Sequence, residues 1–142
     1  MARLFLIDHH AAVRQGLALL LQGKHTICGE AGSRGEAVEQ LVTSCADLVL
    51  LDLVLGPENG FELIASARRL GINVLVYSLC EDAESISGAF AVGAGGYVTK
   101  CEPADALLAA VTDLLAGKRH ISPRAAQSLA NRTLSACKNN KI

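Results

Sequence analysis

Short apolar segments alternate with longer amphipathic segments along most of this chain, and that alternation limits the folds it can adopt. Segment 47–51 is too short for a helix and is bounded by turn residues, so it predicts a strand buried on both faces. Four similar segments bring the candidate strands to five, at residues 3–7, 25–31, 47–51, 72–77 and 95–99. The second is the weakest, because Gly29 interrupts it.

Each candidate strand is followed by a segment with helical spacing of apolar residues. Ser33 and Glu36 form a capping box before the second helix, and Pro103 suits the first position of the fifth. Glycines end four of the helices, at Gly23, Gly71, Gly93 and Gly117. Regular strand–helix alternation predicts an α/β fold with a doubly wound, five-stranded parallel sheet and right-handed crossovers.

Four of the predicted strands end in a polar residue, namely Asp8, Asp52, Ser78 and Lys100. The carboxyl ends of parallel strands lie at one edge of a sheet, so we expect these side chains to converge there. A carboxylate is a competent nucleophile toward a phosphoryl group, and a second carboxylate can help to hold Mg²⁺. A hydroxyl and an ammonium can then receive the oxygens of an acyl phosphate.

The chain resembles the receiver domain of two-component response regulators of the NarL/FixJ (LuxR-type) family over about residues 2–118. The resemblance rests on residues 6–17 (LIDHHAAVRQGL), on Asp52 with Gly60 eight residues later, and on residues 93–100 (GAGGYVTK). It implies a flavodoxin-like (βα)5 fold with strand order 2-1-3-4-5. It also implies a signalling domain that switches an output rather than an enzyme.

The resemblance further implies a role for each matching residue. Asp52 would be the residue phosphorylated by a histidine kinase, with Mg²⁺ held by Asp8, Asp52 and the backbone carbonyl of Val54. Lys100 would contact the phosphoryl group, while Ser78 and Tyr97 would act as the switch residues. The output expected of the parent protein is regulation of transcription.

The sequence departs from the family pattern at several positions near this site. His9 stands where the family has a second acid, bulky Leu79 follows Ser78, and Cys101 follows Lys100. Mg²⁺ prefers oxygen ligands to imidazole nitrogen. If His9 is one of its ligands, we therefore expect Mg²⁺ to bind weakly. The sequence therefore also predicts that protonated His9 pairs with Asp8 or Asp52 and supplies part of the positive charge that the metal ion would otherwise supply. An alternative interpretation is a pseudo-receiver that dimerises or senses a ligand without phosphotransfer.

Two other α/β classes fit the sequence less well. A haloacid-dehalogenase phosphatase requires a second aspartate two residues after the nucleophile, where Val54 stands. A flavodoxin-like FMN protein requires a phosphate-binding loop after the first strand, and this chain has Asp8-His9-His10 there and no tryptophan. Cys80 and Cys101 begin the loops after the fourth and fifth strands, on the same edge as His9 and Asp52, and are candidates for a thiol–imidazole metal site or a redox pair.

Composition and the last residues set expectations for location and partners. The net charge is −1, no apolar run is long enough to cross a membrane, and no signal-peptide pattern is present, so a cytoplasmic protein without membrane contact is expected. The five widely spaced cysteines contain no C-x-x-C pair and indicate reduced thiols.

Residues 119–142 are basic and predict a solvated linker that contains a helix from Ser122-Pro123 to about Leu134 and frays from Ser135 onward. In the resembled family such a linker leads to a helix-turn-helix domain, which these 142 residues do not include, so DNA binding is expected only through that domain. A homodimer is expected, either through helices one and five or through helices four and five.

Overall fold

A computed structural model of the chain describes residues 1–139, in which eight strands and six helices occur. In chain order the elements are β1 (Arg3–Ile7), α1 (Ala11–Leu21), β2 (Thr26–Ala31), α2 (Arg34–Ser44), β3 (Leu48–Leu51), β4 (Val54–Leu55), β5 (Glu58–Asn59), α3 (Phe61–Arg69), β6 (Asn73–Ser78), α4 (Ala83–Ala91), β7 (Gly96–Thr99), α5 (Ala104–Leu115), β8 (His120–Ile121) and α6 (Pro123–Asn139).

Six of the strands form one parallel sheet in the order β2-β1-β3-β6-β7-β8. The first five positions confirm the predicted order of the five long strands. The sixth strand, β8, pairs with β7 at the far edge and was not predicted. Strands β4 and β5 form a separate antiparallel hairpin after β3, which was also not predicted. Two-residue strands have no periodicity that a sequence could reveal.

Helices cover both faces of the sheet, as the doubly wound prediction requires. On one face α1 and α5 pack against the strands through Leu17, Leu21, Leu107 and Val111. On the other face α2, α3 and α4 pack through a second cluster of buried apolar residues. Since β3 is buried along its whole length, both faces of that strand need apolar residues, which explains its nearly continuous leucine and valine composition.

The helix ends agree with the predicted capping with small differences. The hydroxyl of Ser33 accepts the N–H of Glu36 at 3.3 Å, and the Glu36 carboxylate accepts the N–H of Gly32 at 3.0 Å. Pro103 lies before the first helical residue of α5 rather than within it, with an extended ψ of 158°. Asp82 caps the start of α4, where its carboxylate accepts the N–H of Ser85 at 3.0 Å.

The segment after residue 118 packs on the rest of the domain. Ala125 is completely buried in the core on the α4 face, and Leu129 packs against that core. The expectation of a solvated linker is therefore wrong for the start of this segment. Helix α6 continues to Asn139, beyond the predicted end at Leu134, since no glycine or proline interrupts it. The rest of the predicted frayed end, residues 140–142, lies outside the described residues.

Within residues 1–139 no helix combines the length and apolar composition needed to cross a membrane.

Candidate functional site

The polar residues at the strand ends meet at one edge of the sheet. Asp8 follows β1, Asp52 follows β3, and Lys100 follows β7. Lys100 Nζ lies 2.6 Å from Asp8 Oδ2 and 2.8 Å from Asp52 Oδ2. The prediction that the two carboxylates lie together, with Lys100 reaching toward Asp52, is confirmed. One ammonium thus bridges two carboxylates, which are only 2% and 6% exposed.

The other carboxylate oxygens accept backbone hydrogen bonds. The N–H of His10 donates to Asp8 Oδ1 at 2.9 Å, and the N–H of Val54 donates to Asp52 Oδ1 at 3.1 Å. Each carboxylate therefore has one oxygen fixed by the loop that follows its strand and the other fixed by Lys100. These hydrogen bonds fix the orientation of both carboxylates at the edge of the sheet.

Lys100 is charged in this setting. Burial acts to lower the pKa of its ammonium, but hydrogen bonds and opposite charges from Asp52 and Asp8 outweigh burial and raise that pKa. Lys100 Nζ also lies 5.8 Å from the centre of the Tyr77 ring. Burial raises the pKa of Tyr77, so its neutral phenol adds no charge beside the lysine.

Ser78 and Tyr97 are both completely buried and both contact Cys80. The Ser78 hydroxyl accepts the N–H of Cys80 at 3.2 Å, and the Tyr97 hydroxyl donates to the carbonyl of Cys80 at 2.6 Å. Burial raises the pKa of Tyr97, which keeps its hydroxyl a donor. The backbone of Cys80 thus links the two residues that the sequence suggested as switches, a connection that sequence analysis missed.

His9 lies outside the pair of carboxylates. Its Nδ1 is 3.4 Å from the carbonyl oxygen of Gly32, and its ring packs on Gly56, where a β-carbon would come within 3.0 Å of His9 Cε1. The imidazole that approaches the acids belongs to His10, with Nδ1 3.6 Å from Asp8 Oδ1. The hypothesis that His9 pairs with Asp8 or Asp52 is therefore corrected: the cation between the acids is Lys100.

An open cavity of about 370 Å³ lies beside Asp52. Its walls are mainly apolar and consist of His10, Val13, Asp52, Val54, Ser78, Leu79 and Lys100. Leu79 lines this cavity beside Asp52 and is 67% exposed.

The oxygen ligands present here are few but sufficient for Mg²⁺. Mg²⁺ prefers hard oxygen ligands and usually keeps several waters, so one or two carboxylates suffice. Asp8 and Asp52 supply two such carboxylates at adjacent strand ends, and each is already held by a hydrogen bond from its own loop. Among residues 1–139 no group of three histidine, cysteine or acidic side chains is placed to hold a metal, so neither His9 nor the thiols of Cys80 and Cys101 extend this pair.

Sequence analysis also missed two ion pairs beside the site. Arg14, on α1, donates to the backbone carbonyl of Asp8 and contacts Glu30 at 3.0 Å. Glu81, after β6, forms a bidentate pair with Arg124 at the start of α6. Neither pair has a local sequence pattern, because the partners are 16 and 43 residues apart.

Comparisons with known proteins agree with this geometry. Residues 4–112 match the response regulator receiver domain family. The chain is 35% identical over 133 residues to the DNA-binding transcriptional activator DevR/DosR of Mycobacterium tuberculosis. This alignment covers 91% of this chain and 61% of that protein. It is also 32% identical over 126 residues to the nitrate/nitrite response regulator protein NarL of Escherichia coli. That alignment covers 85% of this chain and 58% of NarL.

A solved structure of a LuxR-family two-component response regulator from Aurantimonas sp. SI85-9A1 superimposes with a TM-score of 0.88 at 31% identity. That superposition covers 94% of this chain and 99% of the other. The chain therefore spans one whole solved structure, but only about three fifths of the two longer regulators.

Proposed function

This chain belongs to the response regulator receiver domain family, and we propose that it accepts a phosphoryl group on Asp52 from a histidine kinase. Receiver domains of this family are signalling domains and not enzymes. The observation that carries the proposal is the position of Asp52, which is held by Lys100 at the wall of an open cavity with Ser78 at the next strand end.

The chemistry of the transfer follows from these groups. An oxygen of Asp52 attacks the phosphorus, a P–O bond forms, and the P–N bond to the donor imidazole breaks, with the leaving nitrogen taking up a proton. Lys100, already 2.8 Å from Asp52, is placed to bind an oxygen of the transferred group. Asp8, Asp52 and the carbonyl of Val54 would hold Mg²⁺, which when bound neutralises phosphoryl charge.

Ser78 and Tyr97 would convey the change at Asp52 to the surface. The Ser78 hydroxyl accepts the N–H of Cys80, and its own O–H can donate to a phosphoryl oxygen, so phosphorylation would act on a hydroxyl that is already bonded to this loop. Because Cys80 also accepts the Tyr97 hydroxyl, the loop after β6 and the Tyr97 ring respond together. This coupling is our account of the switch that the family resemblance implies.

Phosphorylation is tested by incubation of the chain with acetyl phosphate and Mg²⁺, followed by intact mass analysis. We expect one added phosphoryl group, none with Asp52→Asn, and an unchanged result with Asp105→Asn, which alters an exposed acid at the start of α5. Omission of Mg²⁺ should lower the yield if Asp8 and Asp52 hold the ion. A phosphoryl group that persists in Asp52→Asn would contradict the assignment of the acceptor.

A phosphorylation-independent receiver is the second candidate, and the contacts of Lys100 favour it. Lys100 already binds both Asp8 and Asp52 and offsets one of their two negative charges. In this case the chain would bind a partner or ligand in its present conformation. The same mass experiment decides between the candidates, since unmodified protein with saturating donor and Mg²⁺ supports the second.

We propose a homodimer as the assembled form. Leu19 is 78% exposed on α1, and Leu20 beside it is also exposed, so this helix presents apolar surface that a second copy can cover. Sedimentation velocity at increasing concentration should show self-association that weakens in Leu19→Ser. If the dimer forms through α4 and α5 instead, Leu19→Ser should associate as strongly as wild type.

We also propose that the chain acts within a longer transcription regulator. Residues 1–118 would form the receiver, residues 119–142 would connect it to a helix-turn-helix domain, and DNA would bind only to that domain. The support is the longer length of the two transcription-regulating relatives. A gel-shift assay with the parent protein, compared with residues 1–142 alone, should show DNA binding only for the parent. A cytoplasmic location remains part of this proposal.

A further inference from the structure

The start of α6 is held to the loop after β6 by an ion pair. Arg124 Nε lies 2.6 Å from Glu81 Oε2, and Arg124 Nη2 lies 2.8 Å from Glu81 Oε1. This parallel, two-bond arrangement is the most specific that a guanidinium and a carboxylate can form. The hydrogen bonds from Arg124 lower the pKa of Glu81 to about 2, so the pair stays ionised near neutral pH.

Further contacts fix the same end of α6 to β7. The Glu102 carboxylate accepts the N–H of Thr99 at 3.1 Å and the N–H of Arg124 at 3.4 Å. The N–H of Ser122 donates to the carbonyl of Tyr97 at 3.0 Å. Helix α6 therefore begins on the strand that carries Tyr97, and Arg124 extends from there to the neighbouring loop.

The same loop also contacts the two proposed switch residues. Ser78 accepts the N–H of Cys80, and Tyr97 donates to the carbonyl of Cys80. Glu81 is the next residue in the chain, so any displacement of Cys80 is transmitted through one peptide bond to the partner of Arg124. Leu79, on the same loop, lines the cavity beside Asp52.

We propose that the Glu81–Arg124 pair is a latch in which Arg124 acts as a positioning residue for the loop of residues 79–82, so that docking of α6 opposes phosphorylation of Asp52 and phosphorylation loosens α6. This inference rests on the proposed phosphorylation of Asp52.

The direction follows from the positions of the groups. In this proposal, contact with a phosphoryl oxygen draws Ser78 toward Asp52, and the attached loop moves with it. Glu81 is held by an arginine whose helix end is anchored to β7 through Ser122 and Glu102. Movement of the loop toward Asp52 therefore lengthens the ion pair between Glu81 and Arg124. By thermodynamic linkage, if phosphorylation breaks this pair, then removal of the pair favours phosphorylation.

The first test measures amide hydrogen exchange in the whole chain without any phosphoryl donor. Arg124→Gln should speed exchange in two places at once, the loop of residues 79–82 and residues 122–129 of α6, by about two- to five-fold. The matched control is Arg132→Gln, which removes the same charge from an exposed position on the same helix and should change neither. Faster exchange in α6 with an unchanged loop would overturn the proposal.

A charge exchange separates the ion pair from other effects of the substitution. Glu81→Arg and Arg124→Glu should each speed exchange in the loop and in α6, because each places like charges together. The double variant Glu81→Arg/Arg124→Glu should restore slow exchange in both segments, which loss of packing alone would not allow. A double variant no slower than the single variants would count against the latch.

The second test follows phosphorylation with acetyl phosphate and Mg²⁺. Arg124→Gln should speed modification of Asp52 by about two- to five-fold, and phosphorylated wild type should exchange faster in residues 122–129. If no variant is phosphorylated while the loop and α6 still exchange together, the proposed function fails and the physical link remains. If Asp52 is phosphorylated at one rate in wild type, Arg124→Gln and Arg132→Gln, the latch fails and the proposed function remains.

Discussion

Lys100 lies closer to Asp8, at 2.6 Å, than to Asp52, at 2.8 Å. Strands β3 and β6 separate β1, which leads to Asp8, from β7, which leads to Lys100, so this contact joins strand ends that are not neighbours in the sheet. Lys100 therefore has a structural function in the unmodified protein besides its proposed contact with a phosphoryl group. A cation bound at the acids would have to share Asp8 with Lys100, and a phosphoryl group on Asp52 would have to share Lys100 with Asp8.

Replacing Lys100 should destabilise the domain. Lys100→Met removes the ammonium between Asp8 and Asp52 and leaves two buried carboxylates with like charge, which should lower the free energy of unfolding by about 3–5 kcal/mol. Urea denaturation near neutral pH measures this loss. Lys118→Met changes an exposed lysine and should have little effect. A Lys100→Met variant as stable as wild type would contradict a stabilising role for the bridge.

The bridge also predicts a loss of stability at high pH. Because the pKa of Lys100 is raised on folding, its stabilising contribution is complete below the ordinary lysine value of about 10.4 and is lost as pH rises through the folded value. Asp52→Asn removes one of the two groups that raise this pKa, so the decline should be shallower in that variant. The measurement is urea denaturation between about pH 9 and about pH 11.

Tyr97 must be excluded from this comparison, because it also weakens the fold as pH rises. Burial raises its pKa and the charge of Asp52 adds to that rise, so the contribution of Tyr97 differs between wild type and Asp52→Asn. With Tyr97→Phe introduced into both proteins, the difference between them reports on Lys100. Parallel pH curves for the two proteins would contradict the prediction.

The convergence of Asp8, Asp52 and Lys100 could be predicted from sequence because parallel topology places all strand ends at one edge, whatever the details of the loops. The orientation of His9 could not, since the backbone of the loop decides which of two adjacent imidazoles faces Asp8. The packing of α6 was missed because its anchor, Ala125, is a small residue in a largely polar segment. The Glu81–Arg124 pair joins two charged residues that no periodicity connects.

Arg14 should stabilise the loop that carries Asp8. Its guanidinium donates to the Asp8 carbonyl and to Glu30 on β2, so Arg14→Gln removes two contacts and should cost about 1.5–3 kcal/mol. Glu30→Gln keeps the contact with Asp8 and a hydrogen-bonding group toward Arg14, so it should cost clearly less. Urea denaturation of both variants provides the comparison. Equal losses would show that the contact with the Asp8 carbonyl adds nothing.

Gly60 should be required by its close approach to the backbone of Asp52. A β-carbon at Gly60 would lie 2.7 Å from the Asp52 carbonyl oxygen and 3.3 Å from the Cα of Leu53. The backbone at Gly60 has a φ of −95°, which other residues adopt, so the cost of a substitution is steric. Gly60→Ala should therefore displace Asp52 and lower the free energy of unfolding by about 1–3 kcal/mol.

Gly16→Ala is the matched control for this prediction. Gly16 lies within α1, and a β-carbon there would meet nothing within 4 Å, so alanine should stabilise the helix by about 0.5–1 kcal/mol. The two substitutions add the same methyl group and should shift the urea midpoint in opposite directions. Gly60→Ala should also slow phosphorylation of Asp52 by acetyl phosphate, whereas Gly16→Ala should not. A Gly60→Ala variant with wild-type stability would show that the hairpin of β4 and β5 moves without disturbing Asp52.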